Sequence, residues 1–257
     1  MNAHEQFIAF MTILRKEVAR FMRIWTQTLL PAVISITLYF IIFGAFIGSQ
    51  IKPIKGFTYM QFVVPGFIMM AVIQNTYGNV VSSFFGTKFQ KSVEELLVSP
   101  TPSYIIILGY CSGGMLRGLI IAFLVTATSL IFEPLAIVHP ITTVAFVILT
   151  AFLFSLIGLT NAIFAQKFDD INIIPTFVLT PLIYLGGVFY SIELLPSFWQ
   201  KVSLFNPVLY MVNGFRYGFL GVSDIGVWFG LTMLVVFIFI FFIVNLIFIS
   251  RGIGLKS

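Results

Sequence analysis

A chain of 257 residues in which 59% are hydrophobic, 9% are charged and 31 are phenylalanine lies far outside the composition of a soluble globular domain. Its uncharged runs exceed the 20 or so apolar residues that cross a bilayer, so it reads as an all-α integral membrane protein. The formal charge of +5 does not point to nucleic acid, because the cations flank apolar runs, and the single cysteine, Cys111, leaves no disulfide or cysteine-based metal site within the chain.

Residues 4–25 place Phe7, Met11, Leu14, Val18, Phe21 and Trp25 at alternating steps of four and three, one face of a helix, with Lys16, Arg20 and Arg23 on another side. This pattern suits an amphipathic helix lying in the membrane interface, its charges among the lipid headgroups. Packing of the same stripe against protein is the alternative. No cleavable signal peptide is recognised, since the first apolar run is too long and follows this patterned segment.

Six spans are expected, at 26–48, 60–85, 105–132, 141–165, 173–190 and 227–250, read between the charges. Pro31 falls near the start of the first, where a helix tolerates it, whereas Pro175 and Pro181 break the fifth. Between the fifth and sixth, residues 191–226 are too apolar for a free loop yet interrupted by Pro196, Pro207 and several glycines. Such backbone sits at membrane depth only where protein or a wet cavity satisfies it, as in a packed lid; a surface helix hairpin is the other reading.

An N-terminus in the cytoplasm puts Arg15, Lys16, Arg20, Arg23, Lys88, Lys91, Lys167, Arg251 and Lys256 inside and leaves Lys52, Lys55, Lys201 and Arg216 outside. That excess of internal cations sets both termini and residues 86–104 on the cytoplasmic face. Within residues 87–99, Phe89, Val93, Leu96 and Leu97 share a helical face, while Lys91, Glu94 and Glu95 lie elsewhere. Thr87 is placed to cap this short amphipathic helix, and Pro100 and Pro102 stop it. A single Lys91–Glu95 pair in the less favourable order is too weak to account for it, which leaves docking to a partner or an ordinary loop helix resting on lipid.

The stretch "GTKFQKSVEELLVSPTPSYIIILGY" resembles the coupling helix of ABC-2-type transporter permeases, where a Glu-Leu-Leu-x-Ser-Pro core precedes the third span. The resemblance implies that this helix fits a cleft on a cytoplasmic ATPase, with Phe89, Lys91, Val93, Glu94, Glu95, Leu96, Leu97, Ser99 and Pro100 as the coupling residues. "GGVFYSIELLPSFWQKVSLFNPVLYMVNGFRYGFLG" resembles the same family's outer re-entrant region through Gly187, Phe189, Leu195, Pro196, Asn206, Pro207 and Arg216. Apart from Leu195, these are the expected outer gate. The likeness covers essentially the whole chain, although each motif alone is loose.

Three features inside the spans are candidates for a passage. Arg117 interrupts an otherwise uncharged run and is costly there unless paired or solvated, for function or for assembly. Asn75, Asn79 and Ser82 form one polar stripe, and Thr176, Thr180 and Tyr184 another; each either lines a route or bonds neighbouring helices. By the resemblance, their spans border a passage at a dimer interface.

The sequence contains no G-x-x-x-x-G-K-[ST] phosphate loop and no H-E-x-x-H or G-x-S-x-G motif. The chain is therefore expected to be a transport subunit, not an enzyme, binding no cofactor or metal itself. The resemblance implies a bacterial inner-membrane exporter of two permeases, identical or related, with ATP and Mg on two separate ATPase subunits and lipid around them. An ion-gradient-driven secondary transporter is the alternative. It is disfavoured because no acidic residue falls well inside an expected span.

Overall fold

The computed structural model describes residues 1–255, so Lys256, counted above among the internal cations, lies outside the described residues. In chain order the helices are α1 (Ala3–Arg23), α2 (Trp25–Thr28), α3 (Leu30–Tyr39), α4 (Tyr59–Phe89), α5 (Ser92–Val98), α6 (Ser103–Phe132), α7 (Pro140–Phe164), α8 (Asp170–Ile174), α9 (Thr180–Tyr184), α10 (Ser197–Leu204), α11 (Pro207–Leu220) and α12 (Val227–Arg251). Wide π-helical turns, Phe40–Ile47 and Pro175–Leu179, follow α3 and join α8 to α9. Only one isolated β-bridge, between Ile54 and Phe57, occurs among the described residues.

Helix α4 is the axis of the fold. Of its residues between Met60 and Phe85, only Gln74 and Ser82 are exposed, because α6, α7 and α11 wrap the rest. Glycines let these backbones close in, which is how helices gain packing energy where lipid gives no hydrophobic drive. A Cβ on Gly114 or Gly118 of α6 would run into Val80 or Thr76 of α4, and one on Gly158 of α7 would meet the Tyr77 carbonyl oxygen at 2.8 Å.

Four segments among the described residues are long and apolar enough to cross a membrane: Trp25–Gly44, Ser103–Phe132, Pro140–Phe164 and Val227–Arg251. At 31 residues α4 is also long, but Gln61, Gln74, Asn75 and Asn79 make it more polar. The segment Asp170–Tyr184 is apolar but short.

Several sequence expectations change. The first span is not one helix over 26–48: the chain kinks after Thr28, where Leu29 precedes Pro31, and widens into π turns from Phe40. The helical stretch expected as the fifth span ends at Tyr184, short of residue 190, and Gly187 then takes a left-handed conformation (φ +71°) that turns the chain into the folded 185–226 segment. Residues 87–99 are not a single helix either. Helix α4 continues to Phe89, Lys91 is left-handed (φ 61°), and α5 begins only at Ser92. Thr87 therefore caps nothing; its hydroxyl donates to the Ser83 carbonyl oxygen and meets the Tyr110 hydroxyl.

Helix α1 also differs from its expected pose. It runs lengthwise along α6 in the same direction, with Gln6 bonded to Tyr104, Ile13 over Gly109 and Glu17 over Gly113. Its tilt is thus tied to that of α6. The buried face is Ile13, Glu17 and Phe21, whereas Phe7 and Trp25 of the expected stripe stay exposed. Glycine spacing on α6 decided the contact, since Gly109 and Gly113 leave a groove that a bulkier face could not offer.

The glycine contacts give a stability test. Gly158→Ala should lower the thermal midpoint of the purified protein, the added methyl forcing α7 from α4 at a cost of about 1–3 kcal/mol. Gly86→Ala on α4 faces open space and should be neutral or stabilising by up to about 1 kcal/mol, alanine being the better helix former. Equal midpoints for the two variants would contradict the packing described.

Candidate functional site

Where α1, α2, α4 and α6 meet, the chain buries a polar cluster. Arg20 donates to the carbonyl oxygen and Oδ1 of Asn79 at 3.0 and 2.8 Å and lies 3.4 Å from Glu17. The fully buried Glu17 carboxylate accepts from Ser83 at 2.7 Å. Arg117 donates to the Thr28 carbonyl oxygen at 2.8 Å, to Asn75 Oδ1 at 2.9 Å and, more weakly, to Asn79 Oδ1 at 3.4 Å. The structure thus brings Asn75 and Asn79 of one expected stripe against Arg117, which the sequence offered as a separate feature, and adds Arg20, read from the sequence as lying away from the apolar stripe, and Glu17, which the sequence reading did not single out.

The second polar stripe stands apart from this cluster. Thr176 and Tyr184 are exposed, and the Thr180 hydroxyl donates to the Pro175 carbonyl oxygen within the π turn. Ser82 and Thr180 nevertheless line one cleft of about 320 Å³ between α4 and the 170–184 segment. A neighbouring cavity of about 300 Å³ separates α3 from α4 and is lined by Gln27, Ser35, Gln74, Asn75 and Arg117. Both openings fall on the strip of α4 that its neighbours leave uncovered.

At the α5 end, only Val93 of α5 is buried; Leu96 and Leu97 rest partly covered on the core, and Glu94, Glu95 and Val98 are exposed. Ser99 closes the helix by donating to the Leu96 carbonyl oxygen, and exposed Pro100 follows. A cleft lies on each side: one of about 420 Å³ lined by Lys88, Phe89, Lys91 and Glu94, the other of about 390 Å³ lined by Lys16, Glu95 and Ser99. Lys88 donates to the carbonyl oxygens of Ile163 and Ala165, fastening the end of α7. Phe89 stacks edge-on with Phe168, 4.8 Å between centroids.

At the α10 end, Arg216 is not a loop cation as the sequence count had it. It is 2% exposed, donates to the carbonyl oxygens of Phe62 and Gly187 at 3.1 and 2.7 Å, and lies 3.9 Å over the Phe62 ring. Asn206 caps α11 by accepting from Val208 N–H and donates to the Leu182 carbonyl oxygen, with Pro207 in the first turn where no donor is needed. Phe189 packs with Phe43, Phe67 and Tyr184. Gly187, Phe189, Asn206, Pro207 and Arg216 therefore knit one region, while Pro196 stands apart at the start of α10.

The sequence reading missed a clamp across three loops of this end. Lys55, in a left-handed turn, pairs with Asp224 at 2.5 Å and Glu193 at 3.0 Å, and Asp224 also accepts from Ser191. Burial opposes both charges, yet the mutual hydrogen bonds prevail, holding Asp224 below its ordinary value and Lys55 above its own.

Comparison with known proteins shows which proteins this chain is similar to. The model of the family described as "ABC-2 type transporter" matches residues 8–220. The chain is 56% identical over 254 residues to the inner membrane transport permease YadH of Escherichia coli K12, covering 99% of both chains, and the Shigella flexneri protein of that name matches equally. Nodulation protein J of Rhizobium leguminosarum bv. viciae is 22% identical over 212 residues, 81% of each chain.

The loop clamp yields a pH signature. With a depressed folded-state pKa, Asp224 contributes stability that is complete above its unfolded value of about 3.9 and lost as pH falls through the folded one. Asp224→Asn should therefore lower the thermal midpoint at pH 7, and the gap to wild type should close toward pH 3. A gap independent of pH would refute the ion pair's contribution.

Proposed function

The chain belongs to the ABC-2 type transporter family, and from that membership we propose that it is the permease subunit of an ATP-binding cassette exporter in the bacterial inner membrane. Two copies, or one copy and a related permease, form the passage, and two cytosolic ATPases holding ATP and Mg drive it. Six spans follow: Trp25–Gly44 with its π extension, α4, α6, α7, the 170–184 segment and α12. Both termini and α5 face the cytoplasm, and residues 185–226 form the outer lid.

One observation carries the reading. Helix α5 is joined directly to two of the longest helices, keeps its acidic residues exposed, and has a cleft on each side. A short helix so placed is a handle for a partner, and the absence of a phosphate loop in the sequence puts the energy source on that partner. Closure of the ATPase pair pushes α5, and α4 and α6 carry the displacement to the lid.

The secondary-transport alternative draws support from buried Glu17, since a carboxylate at that depth is a proton-carrier candidate. Its oxygens are already engaged by Ser83 and Arg20, which suits a fixed strut better than a carrier.

Pull-down from native membranes provides the test. Wild type should recover a P-loop ATPase whose activity rises on association, and Glu94→Arg with Glu95→Arg should abolish recovery while leaving membrane insertion intact. Lys201→Glu on α10 should change neither. Undiminished recovery with the double variant would sink the proposed handle.

A further inference from the structure

The cavity between α3 and α4 contains a cation without a carboxylate. Among the described residues, Glu17 is the acid of the polar cluster, and it pairs with Arg20 and accepts from Ser83. Arg117 has only neutral acceptors: the Thr28 carbonyl oxygen and the side-chain oxygens of Asn75 and Asn79. Its Nε is buried with no hydrogen-bond partner, as are Arg20 Nε and Asn79 Nδ2. The cluster therefore combines two guanidinium groups with one carboxylate, leaving one net positive charge and several idle donors.

That surplus lies where water is scarce. A guanidinium far along a spanning helix is costly unless an anion or water meets it. The cavity that Arg117 lines holds about 300 Å³, more than a phosphate or carboxylate group requires, and its rim of Gln27, Ser35 and Gln74 supplies further neutral donors. All three rim residues are exposed, so the cavity opens sideways between α3 and α4. Just beyond the rim the surface turns apolar through Ile34 and Leu38, both exposed. A charged pocket opening on an apolar wall fits a molecule with an anionic head and an aliphatic tail.

We propose that the Arg117 cavity binds the anionic head group, phosphate or carboxylate, of an amphiphile entering between α3 and α4. The Nη1 end of Arg117, held only by the long contact to Asn79, meets one oxygen of that head, Gln74 and Ser35 donate to the others, and the tail lies along α3. The proposal deepens the exporter reading by naming a ligand class at the uncovered strip of α4. Binding itself needs only the permease. A bilayer lipid and a separate anionic amphiphile share this chemistry.

The test uses the full-length permease in neutral maltoside detergent, titrated with dodecyl phosphate or zwitterionic dodecylphosphocholine and followed by native mass spectrometry. One dodecyl phosphate per protomer should bind at least about tenfold more tightly than the zwitterion. Arg117→Gln should remove that preference and Arg117→Lys should retain most of it. Because Arg117→Gln also breaks the bonds to Asn75 and Thr28 and can unfold the cluster, Gln74→Glu provides an independent arm. This exposed change leaves the cluster intact and should repel the anion, while Gln74→Lys should strengthen binding. Equal affinity for the two detergents, or Gln74→Glu binding dodecyl phosphate like wild type, would overturn the site. Competition by added phosphatidylglycerol would assign it to a bilayer lipid, and lack of competition to a separate amphiphile; the anion site stands in both cases. Loss of ATPase recovery in the preceding test would leave these results untouched, so the two readings fail separately.

Discussion

Helix α4 must be covered on nearly every side, and that requirement fixes where the other long helices run. In lipid the covering cannot be driven by expelling water from apolar faces, so it depends on close backbone approach and on hydrogen bonds. Glycines on α6 and α7 provide the approach, and Gly66 of α4 itself lies against the Val188 backbone. The cover is incomplete at one place, the strip through Gln74, Gly78 and Ser82. Two cavities open there, so the gap in the packing coincides with the polar residues of the helix.

Polar satisfaction explains the rest of the arrangement. Buried cations take carbonyl oxygens from elements distant in sequence, and each such bond fastens two bodies. Arg216 joins α11 to α4 and to the turn at Gly187; Lys88 joins α4 to the end of α7; Arg117 joins α6 to the kink after α2. Every one of these acceptors is a main-chain oxygen, and those of Thr28, Ile163 and Gly187 lie at a kink, a helix end and a turn. Irregular backbone inside the fold is thus satisfied by arginine and lysine.

The long apolar helices were legible because charge is so sparse that the ends of α6, α7 and α12 fall within two residues of the expected limits. Asn75, Asn79 and Arg117 were legible one by one as polar residues in uncharged runs, but not as one cluster, because nothing local says which helices meet. What stayed hidden was decided by tertiary contact. Hydropathy along α1 favours the Phe7 to Trp25 face, but the groove above Gly109 and Gly113 takes Ile13 and Glu17. The Gly109-x-x-x-Gly113 and Gly114-x-x-x-Gly118 spacings were the available signal for that groove and for the α4 contact. Likewise, left-handed Lys91 has no signature, because the glycine that usually marks such a turn is missing. The clamp of Lys55, Glu193 and Asp224 joins residues up to 169 positions apart, beyond the reach of any local pattern.

The same contacts determine which parts can move together. Arg20 and Arg117 tie α1 and α2 to α4 and α6, and α5 bridges the latter pair through the Lys91 turn and the prolines after Ser99. A force applied at α5 therefore meets one braced body and not a single flexible helix. The 170–184 segment is bound more loosely, with a cleft between it and α4 and a π turn in its middle. A second π turn, Phe40–Ile47, lies beyond the cavity of Arg117. Since π turns are wider and less regular than the α-helices around them, the segments flanking the uncovered strip are the compliant ones. In the mechanism proposed above, displacing the braced body against them would change the width of that strip and so link a push at α5 to the polar surface of α4.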